Sequence, residues 1–108
     1  MSYKIKFLPE AQKDLKEFNP AQQRQIGIQI KKFSQNPLPK NEGGYGNPLG
    51  NKRGRNLTGL CKIVLKKLGV RVVYELIRED DIMEIIVISV RADEEVYKIA
   101  DKRTNNRG

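Results

Sequence analysis

The sequence predicts an α+β fold of order β-α-α-β-β-β-α. This is a mainly antiparallel four-stranded sheet with two N-terminal helices packed on one face and a short C-terminal helix. Three observations predict it. Apolar residues alternate with lysine in Tyr3-Lys4-Ile5-Lys6-Phe7, the period of a half-buried strand. Apolar residues then recur at helical spacing behind Pro9 and Pro20, each placed to open a helix. The second half of the chain breaks into three strand-like runs separated by turn residues. With 108 residues, the length suits one domain, 1–108, with a single core.

Each element has its own signal. The first helix is expected from Pro9 to about Phe18, with Leu15 and Phe18 on its apolar face. Asn19-Pro20 restarts the chain as a second helix whose buried stripe is Ile26, Ile30 and Phe33, ending near Asn36-Pro37. Residues 37–57 have no usable period and contain five glycines and three prolines, so a long basic loop is expected there. Such a loop is either functional or a partly disordered connector, and the residues leave both open. Strands are expected at about 60–67, 70–78 and 83–90. The run Ile85-Ile86-Val87-Ile88-Ser89-Val90 is apolar enough to be buried on both faces. Asp93-Glu94-Glu95 then opens a helix through about Lys102, its acids suiting the positive end of the helix dipole, and residues 104–108 are expected to fray.

Composition removes several chemistries. Histidine is absent, which excludes a histidine base, a histidine metal ligand and a Ser-His pair. Cys61 is the single cysteine, so there is no internal disulfide or thiolate metal cluster, and no metal or cofactor is expected. No apolar run approaches a membrane span and the N-terminus lacks a secretory apolar stretch, which makes a soluble cytoplasmic protein the default. The net charge is +8, and it is clustered. From Lys52 to Arg78 eight cations stand against one acid, Glu75, a distribution that favours a polyanionic partner.

The cations concentrate on a predicted hairpin. A two-residue loop at Leu68-Gly69 would pair Lys66 with Arg71, Val64 with Val73 and Lys62 with Glu75. Lys62, Val64, Lys66, Arg71 and Val73 would share one face, with Cys61, Ile63, Leu65, Val70, Val72 and Tyr74 on the other. Lys66 and Arg71, directly opposite, would repel. The residues alone leave open whether this is a solvated face or an anion site.

The ordered set Leu57-Thr58-Gly59-Leu60-Cys61-Lys62-Ile63-Val64-Leu65, Gly69-Val70-Arg71-Val72-Val73-Tyr74, Val87-Ile88-Ser89-Val90 and Glu95-Val96-Tyr97 resembles the RelE/ParE superfamily of toxins, and its RelE-like branch most of all. The resemblance implies the toxin of a type II toxin–antitoxin system. Such a toxin is a ribosome-dependent endoribonuclease that cuts mRNA in the decoding site of the 30S subunit and is neutralised by an acidic antitoxin. It further implies Lys62, Arg71, Arg91 and Tyr97 as catalytic residues, with Arg71 at the scissile phosphate and Tyr97 stacking on a base. Crowding by Lys66 and Arg71 would lower the Lys62 pKa and make it a base, with Arg91 as the proton donor. Lys66 would assist on the same face. Lys52, Arg53 and Arg55 in the loop, with Lys31 and Lys32 on the second helix, would contact ribosomal RNA. Val64 departs from the family, which often has a second lysine there, and the segment around Arg91 is shortened. A ParE-like gyrase inhibitor and a non-catalytic nucleic-acid-binding domain are the alternatives.

Overall fold

The computed structural model describes residues 2–52 and 54–106. Its strands are β1 (Lys4–Phe7), β2 (Asn47–Lys52), β3 (Arg55–Leu65), β4 (Val70–Ile77) and β5 (Ile82–Ser89). Its helices are α1 (Pro9–Lys16), α2 (Pro20–Ser34) and α3 (Asp93–Asn106). The sheet therefore has five strands in the order β1-β5-β4-β3-β2 rather than four, with β1 parallel to β5 and the remaining pairs antiparallel. The additional strand, β2, comes from the stretch expected to be loop. Its sequence, Asn-Pro-Leu-Gly-Asn-Lys, hides it because proline and glycine are poor strand formers. At the outer edge of the sheet, beside a register irregularity between Pro48 and Gly50, both are tolerated.

Helix α2 begins with a reciprocal cap. The Asn19 side chain accepts from the Gln22 backbone N–H at 2.8 Å, and the Gln22 side chain accepts from the Asn19 N–H at 3.0 Å. Ile26 and Ile30 are buried with Ala11 of α1 in one cluster that also takes in Cys61, Ile63, Val70, Val72 and Tyr74. Phe33 is only partly buried and meets the Tyr45 ring edge-on at 5.8 Å between centroids. Strand β5 is buried from Met83 to Ile88, on both faces, as its unbroken apolar run predicts.

Ahead of β2, residues 37–46 of the expected loop are held by named contacts. Tyr74 donates its hydroxyl to the Pro37 carbonyl at 2.7 Å, and Arg78 makes a two-pronged contact with Glu42 at 2.7 and 2.9 Å. Gly46 lies so close to the Tyr74 hydroxyl that a Cβ there would sit 2.3 Å from it. Burial keeps the Tyr74 phenol well above its ordinary pKa, so it stays a donor.

The β3–β4 hairpin differs from its predicted register. Leu65 pairs with Val70, Val64 with Arg71 and Lys62 with Val73. The loop is four residues, Lys66 to Gly69, built from successive turns (Leu68 N–H to Leu65 carbonyl, Gly69 N–H to Lys66 carbonyl) and ended by Gly69 at φ +66°. Each partner moves by two residues. Because side-chain direction repeats every two, the face assignment survives while the opposition of Lys66 and Arg71 does not. Lys66 leaves the strand and stands exposed in the turn.

Past Ile85 no strand among the described residues lies beside the outer edge of β5, since β1 pairs with Ile82 to Ile85. An ion pair takes the strand's place. Asp14 of α1 accepts the Ile88 N–H at 3.0 Å, and Arg103 of α3 donates to the Ile86 carbonyl at 2.9 Å. The two side chains also meet each other at 2.7 Å. Buried backbone groups that a short β1 leaves over are thus satisfied, and α3 is fastened across the sheet.

Candidate functional site

Lys62 on β3 and Arg71 on β4 are diagonal neighbours on one sheet face, because Lys62 pairs with Val73 and Arg71 with Val64. Helix α3 lies over that face. Its first residue, Asp93, and Tyr97 are four apart, which puts both on the same side of the helix. The Lys62 amine donates to the Tyr97 hydroxyl at 2.9 Å and to Asp93 Oδ2 at 3.1 Å. Arg71 Nε donates to the other Asp93 oxygen, and Arg71 Nη1 donates to the Arg91 carbonyl at 3.0 Å. One carboxylate therefore bridges two cations beneath the N-terminus of a helix.

The electrostatics follow from that bridge. Burial works against the Lys62 ammonium, but the hydrogen bonds it donates to Tyr97 and Asp93 outweigh it and hold the amine above its ordinary value. This overturns the expected lowering. Lys66, which was to crowd Lys62, is in the turn, and an aspartate stands at the amine instead. Burial likewise disfavours the Asp93 carboxylate, yet Lys62 and Arg71 together pull its pKa below the ordinary carboxylate value. Both shifts favour the charged forms of Lys62 and Asp93.

The predicted site residues divide accordingly. Lys62, Arg71 and Tyr97 converge. Arg91 joins them only through its carbonyl: its side chain is 65% exposed and reaches Glu95 at 3.9 Å. Val64 is exposed beside Arg71, an apolar gap on the basic face. Arg55 pairs with Asp101 of α3 at 3.7 Å. Lys31 and Lys32 are exposed in the last turn of α2, where cations also suit the helix dipole. Lys52 ends β2, and Arg53 lies outside the described residues.

Asp93 is the participant that sequence reasoning missed. In the sequence it stands as one of three acids that open a helix. Its spacing of four from Tyr97, which aims both at the basic strands, was the available signal. Among the described residues, no group of three or more His, Cys, Asp or Glu side chains could hold a metal ion. No helix among them is long and apolar enough to cross a membrane.

A five-stranded sheet under a C-terminal helix, with lysine, arginine and tyrosine gathered between them, defines a RelE-like α+β fold. No family model matches the chain. A curated Escherichia coli protein named as a RelE-like toxin is 29% identical over 104 residues, which is 95% of this chain and 98% of that one. The Escherichia coli toxin RelE, solved in the free state as a double arginine-to-alanine mutant, superposes with a TM-score of 0.75 at 26% identity, covering 95% of this chain and 98% of that one. The RelBE2 toxin–antitoxin complex of Mycobacterium tuberculosis contains a chain with the same fold, at TM-score 0.64 and 23% identity, covering 86% of this chain and 95% of that one. In sequence and in fold the chain is thus similar to RelE-like toxins over nearly its whole length.

Proposed function

We propose that this chain is the toxin of a type II toxin–antitoxin system and acts in the cytoplasm as a metal-independent, ribosome-dependent endoribonuclease on mRNA. The observation that carries the reading is the convergence of Lys62, Arg71 and Tyr97 beneath α3. A phosphodiester seated on Lys62 and Arg71 has its charge met where charge grows during cleavage. The 2′-hydroxyl oxygen attacks the adjacent phosphorus and its proton passes to water. The bond from phosphorus to the 5′-oxygen breaks with its electron pair, leaving a 2′,3′-cyclic phosphate. The 5′-oxygen takes up a proton, and the ammonium of Lys62, held charged by its neighbours, suits that donation better than it suits a base. Arg91, exposed on the rim, supplies a mobile cation to the same phosphate, and Tyr97 offers a ring for a base to stack on.

Among the described residues none around Lys62 and Arg71 is a strong base, so orientation of the RNA must supply much of the rate. That is the contribution a ribosome makes by holding mRNA in place. Lys66, Lys52, Arg53, Arg55, Lys31 and Lys32 would meet ribosomal RNA backbone. An acidic antitoxin is the partner that complements a chain of net charge +8, and related toxins have been solved with theirs.

Primer extension on translated mRNA after induction tests the reading. Codon-phased cuts that vanish with Arg71→Ala are expected. Uncut mRNA with gyrase–DNA breaks, or neither kind of damage, would overturn it.

A further inference from the structure

We propose that Asp93 is a specificity-determining residue: its carboxylate occupies the seat of the substrate phosphate between Lys62 and Arg71 and so excludes RNA that is not held in place by a larger assembly. The inference rests on the reading of Lys62 and Arg71 as phosphate-binding cations. It adds that this seat is already filled by the chain itself.

The geometry is that of a substitution. Asp93 divides its two oxygens between the two cations, Oδ2 at 3.1 Å from the Lys62 amine and Oδ1 on Arg71 Nε. A phosphodiester likewise offers two charged oxygens on one centre, and the same donors would serve them. Those donors cannot serve both anions at once. Asp93 is also placed to yield, since its side chain is 43% exposed and water can take over its hydrogen bonds when it swings out. It stands in the first turn of α3, where backbone N–H groups favour an anion of either kind.

Discrimination follows from concentration. A tethered carboxylate competes at a fixed, high effective concentration, so RNA diffusing freely is outcompeted. An RNA strand positioned by an assembly has a high effective concentration of its own and displaces the carboxylate despite the same opposition. A residue that weakens binding to both therefore suppresses turnover of free RNA far more than of presented RNA.

The test uses the full chain and a fluorescent single-stranded 2′-O-methyl oligoribonucleotide, which cannot be cleaved. Asp93→Asn is compared with Glu10→Gln, which makes the same change in net charge at an exposed site on α1. Asp93→Asn should bind at least about fivefold more tightly than Glu10→Gln, with a salt dependence steeper by about one phosphate contact. It should also raise cleavage of free RNA by a larger factor than it changes cleavage of ribosome-bound mRNA, because a saturated presented substrate gains nothing from tighter binding. Asp93→Ser, which removes the charge while keeping a small polar side chain in the first turn of α3, should repeat the binding result. Equal binding by Asp93→Asn and Glu10→Gln overturns the inference. So does loss of ribosome-bound cleavage in Asp93→Asn, which would place the carboxylate in the chemistry. Arg71→Ala separates the two levels. If it weakens oligonucleotide binding while Asp93→Asn changes nothing, only the inference fails. If it leaves binding unchanged in both backgrounds, the phosphate seat itself is wrong.

Discussion

Helix α3 is held at both ends by aspartate meeting arginine. At its C-terminal end Arg103 meets Asp14, with side chains 19% and 17% exposed, and both also bind backbone groups of β5. At its N-terminal end Asp93 meets Arg71 and Lys62 with its own side chain 43% exposed. In the first contact every partner is committed to completing a sheet edge, so removing one leaves buried polar groups stranded. In the second, the carboxylate stands open to water. The same residue types thus make a fastening in one place and a replaceable contact in the other, and burial separates them.

The sharpest way to test that division is to cut each contact and read both stability and cleavage. Arg71→Ala should lower cleavage of ribosome-bound mRNA by about 10²–10³-fold, the usual cost of losing a charge-stabilising group, while the urea midpoint stays near that of the parent. Arg103→Ala should do the opposite in kind. It should destabilise by about 3 kcal/mol in urea denaturation, with activity lost only as far as α3 detaches. If Arg71→Ala proved the more destabilising of the two, the comparison would fail. Tyr97→Phe removes the Lys62 hydrogen bond but keeps the ring, and should reduce cleavage only about fivefold, the worth of one hydrogen bond. A loss as large as that of Arg71→Ala would mean that the hydroxyl takes part in the chemistry.

The smallest effect is one of pH. The folded-state pKa of Asp93 is depressed, so its contribution to stability is full above the ordinary carboxylate value. That contribution is lost as pH falls through the lower folded value. Carbon-13 NMR of the Asp93 carboxyl should show a midpoint below that of an unstructured aspartate, and Arg71→Ala should move it upward. No upward movement would mean that Arg71 does not sense the carboxylate.

The comparison also shows what the sequence could reveal. Periodicity located β1, both N-terminal helices, the hairpin strands and β5, because each carries the pattern that its burial requires. Strand period put Lys62 and Arg71 on one face, as the observed pairing does, whereas Tyr97 was pointed to only by the resemblance. Strand β2 was illegible, since an edge strand paired on one side tolerates Pro48 and Gly50. Hairpin register depends on loop length, and Leu68-Gly69 does not reveal that the turn begins at Lys66. The roles of Asp14 and Arg103 were hidden for another reason. They answer to the length of β1, and a local pattern does not report where a distant strand stops.

One consequence of α3 concerns the order in which the molecule is made. The cluster takes its cations from residues 62 and 71 and its carboxylate and phenol from residues 93 and 97. The fastening that lays α3 across them waits for residue 103. During synthesis, the strands can pair and the basic face can form before anything covers it. Arrival of the last helix brings Asp93 and Tyr97 to the basic strands and offsets part of their charge in a single docking step.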